Sequence, residues 1–146
     1  MIYVNSVHIL VTITLPAAVD WIKFNKNQVG YYRVNYPTDM WESLTKALYE
    51  TRGAFSVSDR AHLINDVFAL ADAGQVDYSI ALDLSQYLKN ELDYVPWSVA
   101  ASRLNAIKNL LYFTNLYRDF VDYARQLLKG VYESVTWNVS ENHLQK

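Results

Sequence analysis

The stretch SVSDRAHLINDVFALA, residues 56–71, decides the fold class of this chain. Ser56 and Asp59 have the spacing of a capping box, in which side chains bond the free backbone N–H groups of a helix start. Apolar residues then recur at spacings of zero, three, four and seven from Ile64 onwards, which is one face of an α-helix. Gly74 follows as a natural stop. The sequence therefore predicts a helix from about Ser56 to Gly74.

Segments with the same helical periodicity lie on both sides of this stretch. One begins after Pro37, with Thr38 and Asp39 as candidate caps, and carries Trp41 and Leu44 on one stripe. The other three are a helix capped by Asp77, one from Trp97 to about Phe113 with Pro96 in its first turn, and one from about Leu116 to Val135. The predicted fold class is therefore mainly α, with a short β-strand segment followed by an antiparallel, solenoid-like array of helices.

The strand segment lies before Pro37, where β-branched and aromatic residues alternate with polar ones. The predicted strands are Val11–Leu15, Trp21–Asn25 and Tyr31–Tyr36, with Lys26–Gly30 as a hairpin turn. Pro37 ends the last strand because it has no N–H for a ladder. Three strands form a marginal sheet when nothing covers them. This pattern indicates the end of a larger sheet.

Composition excludes several classes of function. The formal net charge is −2 with Lys and Arg scattered along the chain, so nucleic acid is not an expected ligand. The absence of Cys excludes disulfides, thiolate zinc sites and cysteine nucleophiles. The first 19 residues carry no Asp, Glu, Lys or Arg, but no cationic region follows Met1 and polar residues interrupt the apolar run. We therefore expect a strand there, rather than a targeting or membrane segment.

No local pattern marks a reaction centre. A metallopeptidase helix needs two His four residues apart with an adjacent Glu, whereas His8, His62 and His143 are isolated from one another. His62 is predicted to be a surface or cap-adjacent residue, because a lone His lacks co-ligands. There is no Gly-x-Ser-x-Gly elbow, and four dispersed Gly do not form a phosphate-binding loop. We predict no catalytic and no metal-binding residue in this chain.

The charged residues favour structural roles. Arg33 lies among aromatic residues and is predicted to be a buried or interfacial ion-pair partner, since Arg rarely goes inside unpaired. Arg60 and Asp66 are predicted as a further structural pair, each anchoring a helix end or a neighbouring loop. Asn138 begins an Asn-Val-Ser sequon and is a candidate N-glycosylation site. The other Asp residues that share a predicted helix with a second Asp are expected on solvated helix faces; they are Asp59, Asp72, Asp119 and Asp122.

Three motifs, in order, resemble the M1 family of zinc aminopeptidases, which includes aminopeptidase N, glutamyl aminopeptidase and the endoplasmic-reticulum aminopeptidases. The first is WIKFN followed by GYYRVNY, residues 21–25 and 30–36. The second, RAHLINDVFALA at residues 60–71, is similar to the family's Arg-Ala-x-Leu-Ile-x-Asp-x-Phe-x-Leu-Ala helix. The third is YVPW at residues 94–97, where the family opens a later helix with Pro-Trp. The resemblance extends over about residues 11–137.

The resemblance implies a division of the chain. Residues 1–37 would form the end of a β-sandwich domain, and residues 38–146 the first helices of an ERAP1-like helical C-terminal domain. The zinc helix, the Gly-x-Met-x-Asn motif and the catalytic Tyr of the family all lie upstream of the matching region. The resemblance thus implies a non-catalytic fragment that scaffolds and encloses the active-site cavity of a parent enzyme, which holds zinc and removes N-terminal amino acids from peptides. The expected partners are the parent's catalytic domain and, through it, peptide substrate.

Two other hypotheses stay open from the sequence. One is a stand-alone helical module that binds a protein or peptide without peptidase activity, and the other is a segment of a decayed peptidase that binds peptides without cutting them. No membrane segment is predicted in this chain, although parents of the family are often membrane-anchored with extracellular or lumenal ectodomains. Because faces that pack across a domain boundary would be exposed, we expect the isolated chain to associate or aggregate.

Overall fold

The computed structural model describes residues 2–4, 7–9 and 18–134 of the chain. A short antiparallel pair, β1 (Ile2–Val4) and β2 (Val7–Ile9), stands at the N-terminus, with Tyr3 opposite His8. The rest of the described chain is helical or irregular, which confirms a mainly α fold. The helices are α1 (Thr38–Glu50), α2 (Val57–Asp72), α3 (Tyr78–Ser85), α4 (Tyr94–Leu111) and α5 (Tyr117–Ser134), with 3₁₀ turns at Lys26–Gln28, Arg52–Ala54 and Gln86–Asn90.

The predicted strands Trp21–Asn25 and Tyr31–Tyr36 are wrong as strands. Residues 21–36, here called the strap, contain no strand and run irregularly over the start of α2. A β-strand needs a neighbour that accepts its N–H groups, and in the strap side chains do this instead. The N–H of Phe24 donates to Tyr36 Oη at 3.0 Å, and that of Val34 donates to Asp66 Oδ2 at 2.9 Å. The predicted strand Val11–Leu15 lies outside the described residues.

The predicted hairpin at Lys26–Gly30 is wrong, because no strands flank it, but the chain does turn there, and the turn closes through a side chain. Asn25 Oδ1 accepts the N–H of Gly30 at 2.7 Å, and Asn25 Nδ2 donates to the carbonyl of Gly30 at 2.8 Å. Asn25, Asn27 and Gln28 have φ values of 54°, 58° and 57°. Asn adopts this left-handed region more readily than most residues do, which suits it to a turn.

Side-chain caps stand at the starts of α2 and α3, whereas α1 and α4 begin without one. Ser56 caps α2 by accepting the N–H of Asp59 at 3.1 Å, and Asp77 caps α3 by accepting the N–H of Ser79 at 2.7 Å. Gly74 ends α2 with a φ of 67°, the left-handed conformation that glycine permits after a helix. The predicted caps of α1 are wrong, because that helix begins at Thr38 itself and Pro37 stands before it without a side-chain bond.

Helix α2 is the centre of the fold. It packs against α3, α4 and the strap, while α5 packs on α4 and on the 3₁₀ turn Gln86–Asn90. Burial of each large apolar side chain contributes about 1.5–3 kcal/mol, so this core is the main source of stability. Its largest fully buried apolar and aromatic side chains are Trp41, Leu44, Leu48, Ile64, Val67, Phe68, Leu84, Tyr87, Leu88 and Leu127.

The corner between α4 and α5 exposes apolar side chains. Phe113 is 95% exposed and Leu110 is 74% exposed, and Tyr112 and Leu116 are exposed beside them. Tyr112 contacts Phe113 edge-on, with ring centroids 4.9 Å apart. Apolar patches of this kind favour association. Association of the isolated chain stays a prediction, and this corner is the surface through which we expect it to occur. A solenoid-like continuation of the array also stays a prediction.

Candidate functional site

Charged side chains concentrate on the faces of α2 that pack against the strap and against the 3₁₀ turn before α4. The first pair is Lys23 of the strap and Asp59 in the first turn of α2, with Nζ 2.6 Å from Oδ1 and both side chains 5% exposed. Lys23 Nζ also donates to the carbonyls of Phe24 and Asn25, each at 3.0 Å. A buried charge is tolerated only when it is paired and hydrogen-bonded, and Lys23 satisfies this condition fully.

Asp59 binds more than the ammonium. Its Oδ1 accepts the N–H of Asn27 at 2.7 Å, and its Oδ2 accepts the hydroxyl of Ser56 at 2.9 Å. Burial disfavours the charged carboxylate, but the Lys23 ammonium and these two donors outweigh it and hold the pKa of Asp59 below its ordinary value. Asp59 thus bonds the side chain of the capping residue Ser56 and also anchors the strap.

Asp66, two turns further along α2, holds the other end of the strap. Its Oδ1 lies 3.0 Å from Arg33 Nη1, and its Oδ2 accepts the N–H of Val34 at 2.9 Å and lies 2.9 Å from His62 Nε2. The aromatic ring of Tyr36 packs nearby against Trp41, with centroids 4.9 Å apart. Burial, together with the two carboxylates, raises the pKa of Tyr36 to about 12.

A second buried cluster joins α2 to the segment that precedes α4. Arg60 Nε donates to Glu91 Oε2 at 2.7 Å, Nη1 donates to the carbonyl of Phe55 at 2.8 Å, and Nη2 bonds Asp93. Glu91 is fully buried and also accepts the N–H of Leu92 at 2.9 Å. The guanidinium therefore ties three separate segments together through one fixed fork of donors.

The structure places the predicted ion-pair residues in two different clusters. Arg33 and Asp66 lie together, but the Arg33 side chain is 46% exposed, so the prediction of a buried Arg33 is wrong. Arg60 pairs with Glu91 and Asp93 rather than with Asp66. Six residues at 100° each separate Arg60 and Asp66 by about 240° around α2, so their side chains point to different faces. Asn138 lies outside the described residues.

The sequence missed several members of the site. His62 is 4% exposed, so the prediction of a surface histidine is wrong. Asp59 is buried too, against the prediction of a solvated face, while Asp72 is exposed. Glu91 lies in the polar run KNELD, residues 89–93, which is typical of an exposed link. The sequence around Glu91 does not indicate burial. The one available indication was that a buried Arg60 needs a carboxylate partner somewhere in the chain.

The charged groups of these clusters bond separate segments of the chain to one another. Within residues 2–4, 7–9 and 18–134, no group of three His, Asp or Glu side chains is arranged to hold a metal. His62 illustrates this, because Asp66 bonds one ring nitrogen and the Lys23 ammonium lies 3.4 Å from the other. A cation beside the free nitrogen opposes a second cation there. The described residues therefore do not fit the zinc that the resemblance implies for a parent enzyme.

An open groove lies between α1 and α3, away from both clusters. Its volume is about 740 Å³ and its lining mixes apolar and acidic side chains. Its lining includes Tyr49 and Ile80 together with the acidic residues Glu42, Glu50 and Asp83. A cavity of this size falls in the range that binds small molecules or short peptide segments. Among the described helices, none is both long and apolar enough to cross a membrane.

Comparison with known proteins assigns relatives to this chain. The family described as the ERAP1-like C-terminal domain matches residues 21–146. The chain is 37% identical over 139 residues to a glutamyl aminopeptidase of Bitis rhinoceros, covering 92% of this chain and 15% of that protein. It is 39% identical over 127 residues to an aminopeptidase N of Plutella xylostella, covering 86% and 13%. It is 39% identical over 140 residues to endoplasmic reticulum aminopeptidase 1 of Rattus norvegicus, covering 91% and 15%.

Proposed function

The chain belongs to the family of ERAP1-like C-terminal domains, whose relatives are M1 aminopeptidases, and on this premise we propose that it is a non-catalytic scaffold of such an enzyme. The parent would use zinc, held in its catalytic domain, to remove N-terminal amino acids from peptides. The observation that carries this proposal is the match over residues 21–146, with 37–39% identity to three aminopeptidases. The chain spans 13–15% of the length of these relatives, so activity and substrate belong to the proposal.

The buried clusters support a structural role. Each charged group in them is used in a bond that connects two segments, as Lys23 does with Asp59 and Arg60 does with Glu91. We place the boundary between the end of a β-sandwich domain (1–37) and the helical domain (38–146) at Pro37. In this division the Lys23 and Arg33 pairs fix the helical part to the sandwich part. The helical part would then enclose the active-site cavity, with the catalytic domain as its partner.

The experiment that tests the proposal is a deletion and a graft in a full-length relative. The segment of the Bitis rhinoceros glutamyl aminopeptidase that matches this chain is deleted, or it is replaced by residues 21–134. We expect deletion either to abolish soluble enzyme or to change its selectivity for peptide length. The graft is expected to restore whichever property the deletion removes. Hydrolysis of a single-residue chromogenic substrate and of peptides of increasing length provides the measurement.

Two variants of the graft make this test specific. Arg60→Met breaks a buried pair and is expected to reduce restoration, whereas Arg125→Met, in an exposed pair with Asp122, is the matched control and is expected to restore fully. A deletion that leaves folding and length selectivity unchanged would refute the scaffold role.

The groove between α1 and α3 favours the alternative of a stand-alone binding module. A module of this kind binds peptide without any catalytic domain, and Tyr49, which is 51% exposed on the groove, would supply an aromatic contact. Titration of the isolated chain with a fluorescent peptide library distinguishes the two functions. The alternative requires saturable binding that Tyr49→Ala abolishes and that Tyr132→Ala, an exposed tyrosine outside the groove lining, leaves intact.

A further inference from the structure

Helix α5 carries a wider apolar stripe than the fold of its own chain buries. Phe120 and Leu127 are buried on the side that packs against α4 and the 3₁₀ turn before it. At 100° per residue, Val121, Leu128 and Tyr132 lie within about 40° of one another, next to that buried side. Leu128 is 46% exposed and Tyr132 is 71% exposed, so the described residues leave this part of the stripe open. An apolar helix face of this kind is typical of a surface that packs against another element.

A cationic edge borders the exposed stripe. Arg125 and Lys129 are one turn apart, and both lie on the side of Leu128 that points away from the core. Arg125 bonds Asp122 in a pair that is exposed on both sides, and such a pair contributes little and exchanges easily. Lys129 forms no ion pair with any described residue. The exposed surface of α5 is therefore apolar, with positive charge along one edge.

The groove between α1 and α3 has the complementary character. Among the described residues that line it, the carboxylates are Glu42, Glu50, Asp77 and Asp83, and the one cation is Lys46. No ion pair within the described part of the chain involves any of them. Tyr49 and Ile80 add apolar surface to the same lining. The groove thus suits a partner that presents apolar side chains with positive charge beside them.

The groove and the exposed stripe also match in length. Glu42 and Tyr49 are seven residues apart on α1, so this wall of the groove spans about two helical turns, or about 10 Å. Arg125 and Tyr132 are seven residues apart on α5 and span the same distance. Helices associate when a ridge of side chains on one packs into a groove on its neighbours. None of the described residues that line the groove belongs to α5, so this helix does not fill the groove of its own chain.

We propose that α5 of one copy of this chain packs into the groove between α1 and α3 of a second copy. Leu128 and Tyr132 enter the groove, and the cationic edge of α5 lies beside its carboxylates. An antiparallel pair of α5 helices would instead bring two cationic edges together. Because the contact joins two different surfaces, each added copy leaves one groove and one α5 open, and the copies assemble head to tail. This association goes beyond the proposed aminopeptidase context and does not rest on it.

Sedimentation velocity of the whole chain tests this association. A contact over two helical turns is small, so we expect weak binding, with a dissociation constant on the order of 100 µM. From about 10 µM to about 300 µM the mean mass should rise past that of a dimer, because a head-to-tail contact does not close after two copies. Raising the salt concentration from about 0.05 M to about 0.5 M should lower the mean mass, since salt screens exposed charges.

Single charge reversals on the two surfaces identify the contact. Lys129→Glu and Asp83→Lys are each expected to weaken association about fivefold, because like charges then face each other. An equimolar mixture of these two variants should recover association, since the reversed edge of one variant meets the reversed groove of the other. Lys26→Glu and Asp20→Lys are the matched controls, with the same changes of net charge at exposed positions outside both surfaces. Both controls should associate like the unaltered chain.

Cross-linking supplies a second measurement that does not depend on charge. The chain has no Cys, so Lys129→Cys and Asp83→Cys each introduce a single thiol. A mixture of these two variants, treated with a short bismaleimide, should give more cross-linked dimer than either variant gives alone. Equal yields from the mixture and from the separate variants would contradict a contact between α5 and the groove.

Three other results would overturn the proposal. The first is a chain that stays monomeric, or that stops at a dimer, at the highest concentration. The second is an Asp83→Lys variant that associates as strongly as the unaltered chain, because α5 would then pack on a surface other than the groove. The third is a loss of association in Phe113→Ser while both charge reversals leave it unchanged, which would assign the contact to the exposed corner between α4 and α5.

Discussion

Replacing Glu91 with glutamine is expected to destabilise the fold strongly, because it leaves the buried, charged Arg60 with the half-exposed Asp93 as its only carboxylate partner among the described residues. The Arg60 side chain is 6% exposed and that of Glu91 is fully buried, so solvent does not compensate for the lost charge. Arg60 would keep the carbonyl of Phe55 and the half-exposed Asp93, which retain part of its bonding. Removal of one partner from a buried pair costs about 3–5 kcal/mol, and these remaining bonds favour the lower end.

Urea denaturation followed by circular dichroism measures this change. With a denaturant slope of about 2 kcal/mol per molar, a loss of about 3 kcal/mol lowers the midpoint by about 1.5 M. Arg125→Met is the matched control, since Arg125 and Asp122 form an exposed pair with side chains 73% and 55% exposed. Its midpoint is expected to shift by less than about 0.25 M.

The double variant Arg60→Met with Glu91→Leu separates the cost of an unpaired charge from the value of the pair itself. Because both charges are removed together, the double variant is expected to be more stable than Arg60→Met alone and than Glu91→Leu alone. The reasoning is refuted if Glu91→Gln and Arg125→Met have the same midpoint. It is also refuted if the double variant is less stable than both singles.

Three further changes probe other features of the fold. Gly130→Ala would put its Cβ 2.4 Å from the carbonyl oxygen of Lys89, so we expect a loss of about 1–3 kcal/mol in chemical denaturation, while Gly53→Ala, with open space around it, should stay near the parent. Ser56→Ala removes the cap of α2 and should lower the free energy of unfolding by about 1 kcal/mol; an unchanged melting temperature would contradict this. The pKa of Asp59 is lowered in the folded chain, so its contribution to stability is present above its ordinary pKa near 4 and is lost as the pH falls through the folded pKa. Asp59→Asn should therefore flatten the fall in stability as the pH is lowered below about 4, as measured by thermal melts at a series of pH values.

Local signals predicted the helices well. The cap at Ser56, the apolar spacing from Ile64 and the stop at Gly74 are all set by residues within one or two turns, so α2 was predicted close to its actual ends. The same local approach failed for the strap. Alternation of apolar and polar residues reports only that a segment suits an extended, half-buried conformation, whereas a strand requires a partner that the pattern does not contain.

The candidate site was likewise predictable only in part from local sequence. Arg33, Arg60 and Asp66 could be selected from the sequence as ion-pair residues, because charged groups within apolar stretches must be paired. Their partners could not be selected. Glu91 is 31 residues from Arg60, and Asp66 is 33 residues from Arg33, so nothing in the local pattern links them.

The sequence by itself determined the helical fold class, both ends of α2, the start of α3 and the family, because caps, periodicity and motif order are local features of the sequence. Only the tertiary structure decided that the strap has no ladder, that His62 and Asp59 are buried, and which carboxylate each cation binds. The physical reason is that capping and helix periodicity depend on neighbours within a few residues. Burial and ion pairing depend on which distant segments the fold brings together. In this chain the strap and residues 86–93 pack around α2, and this packing decides both.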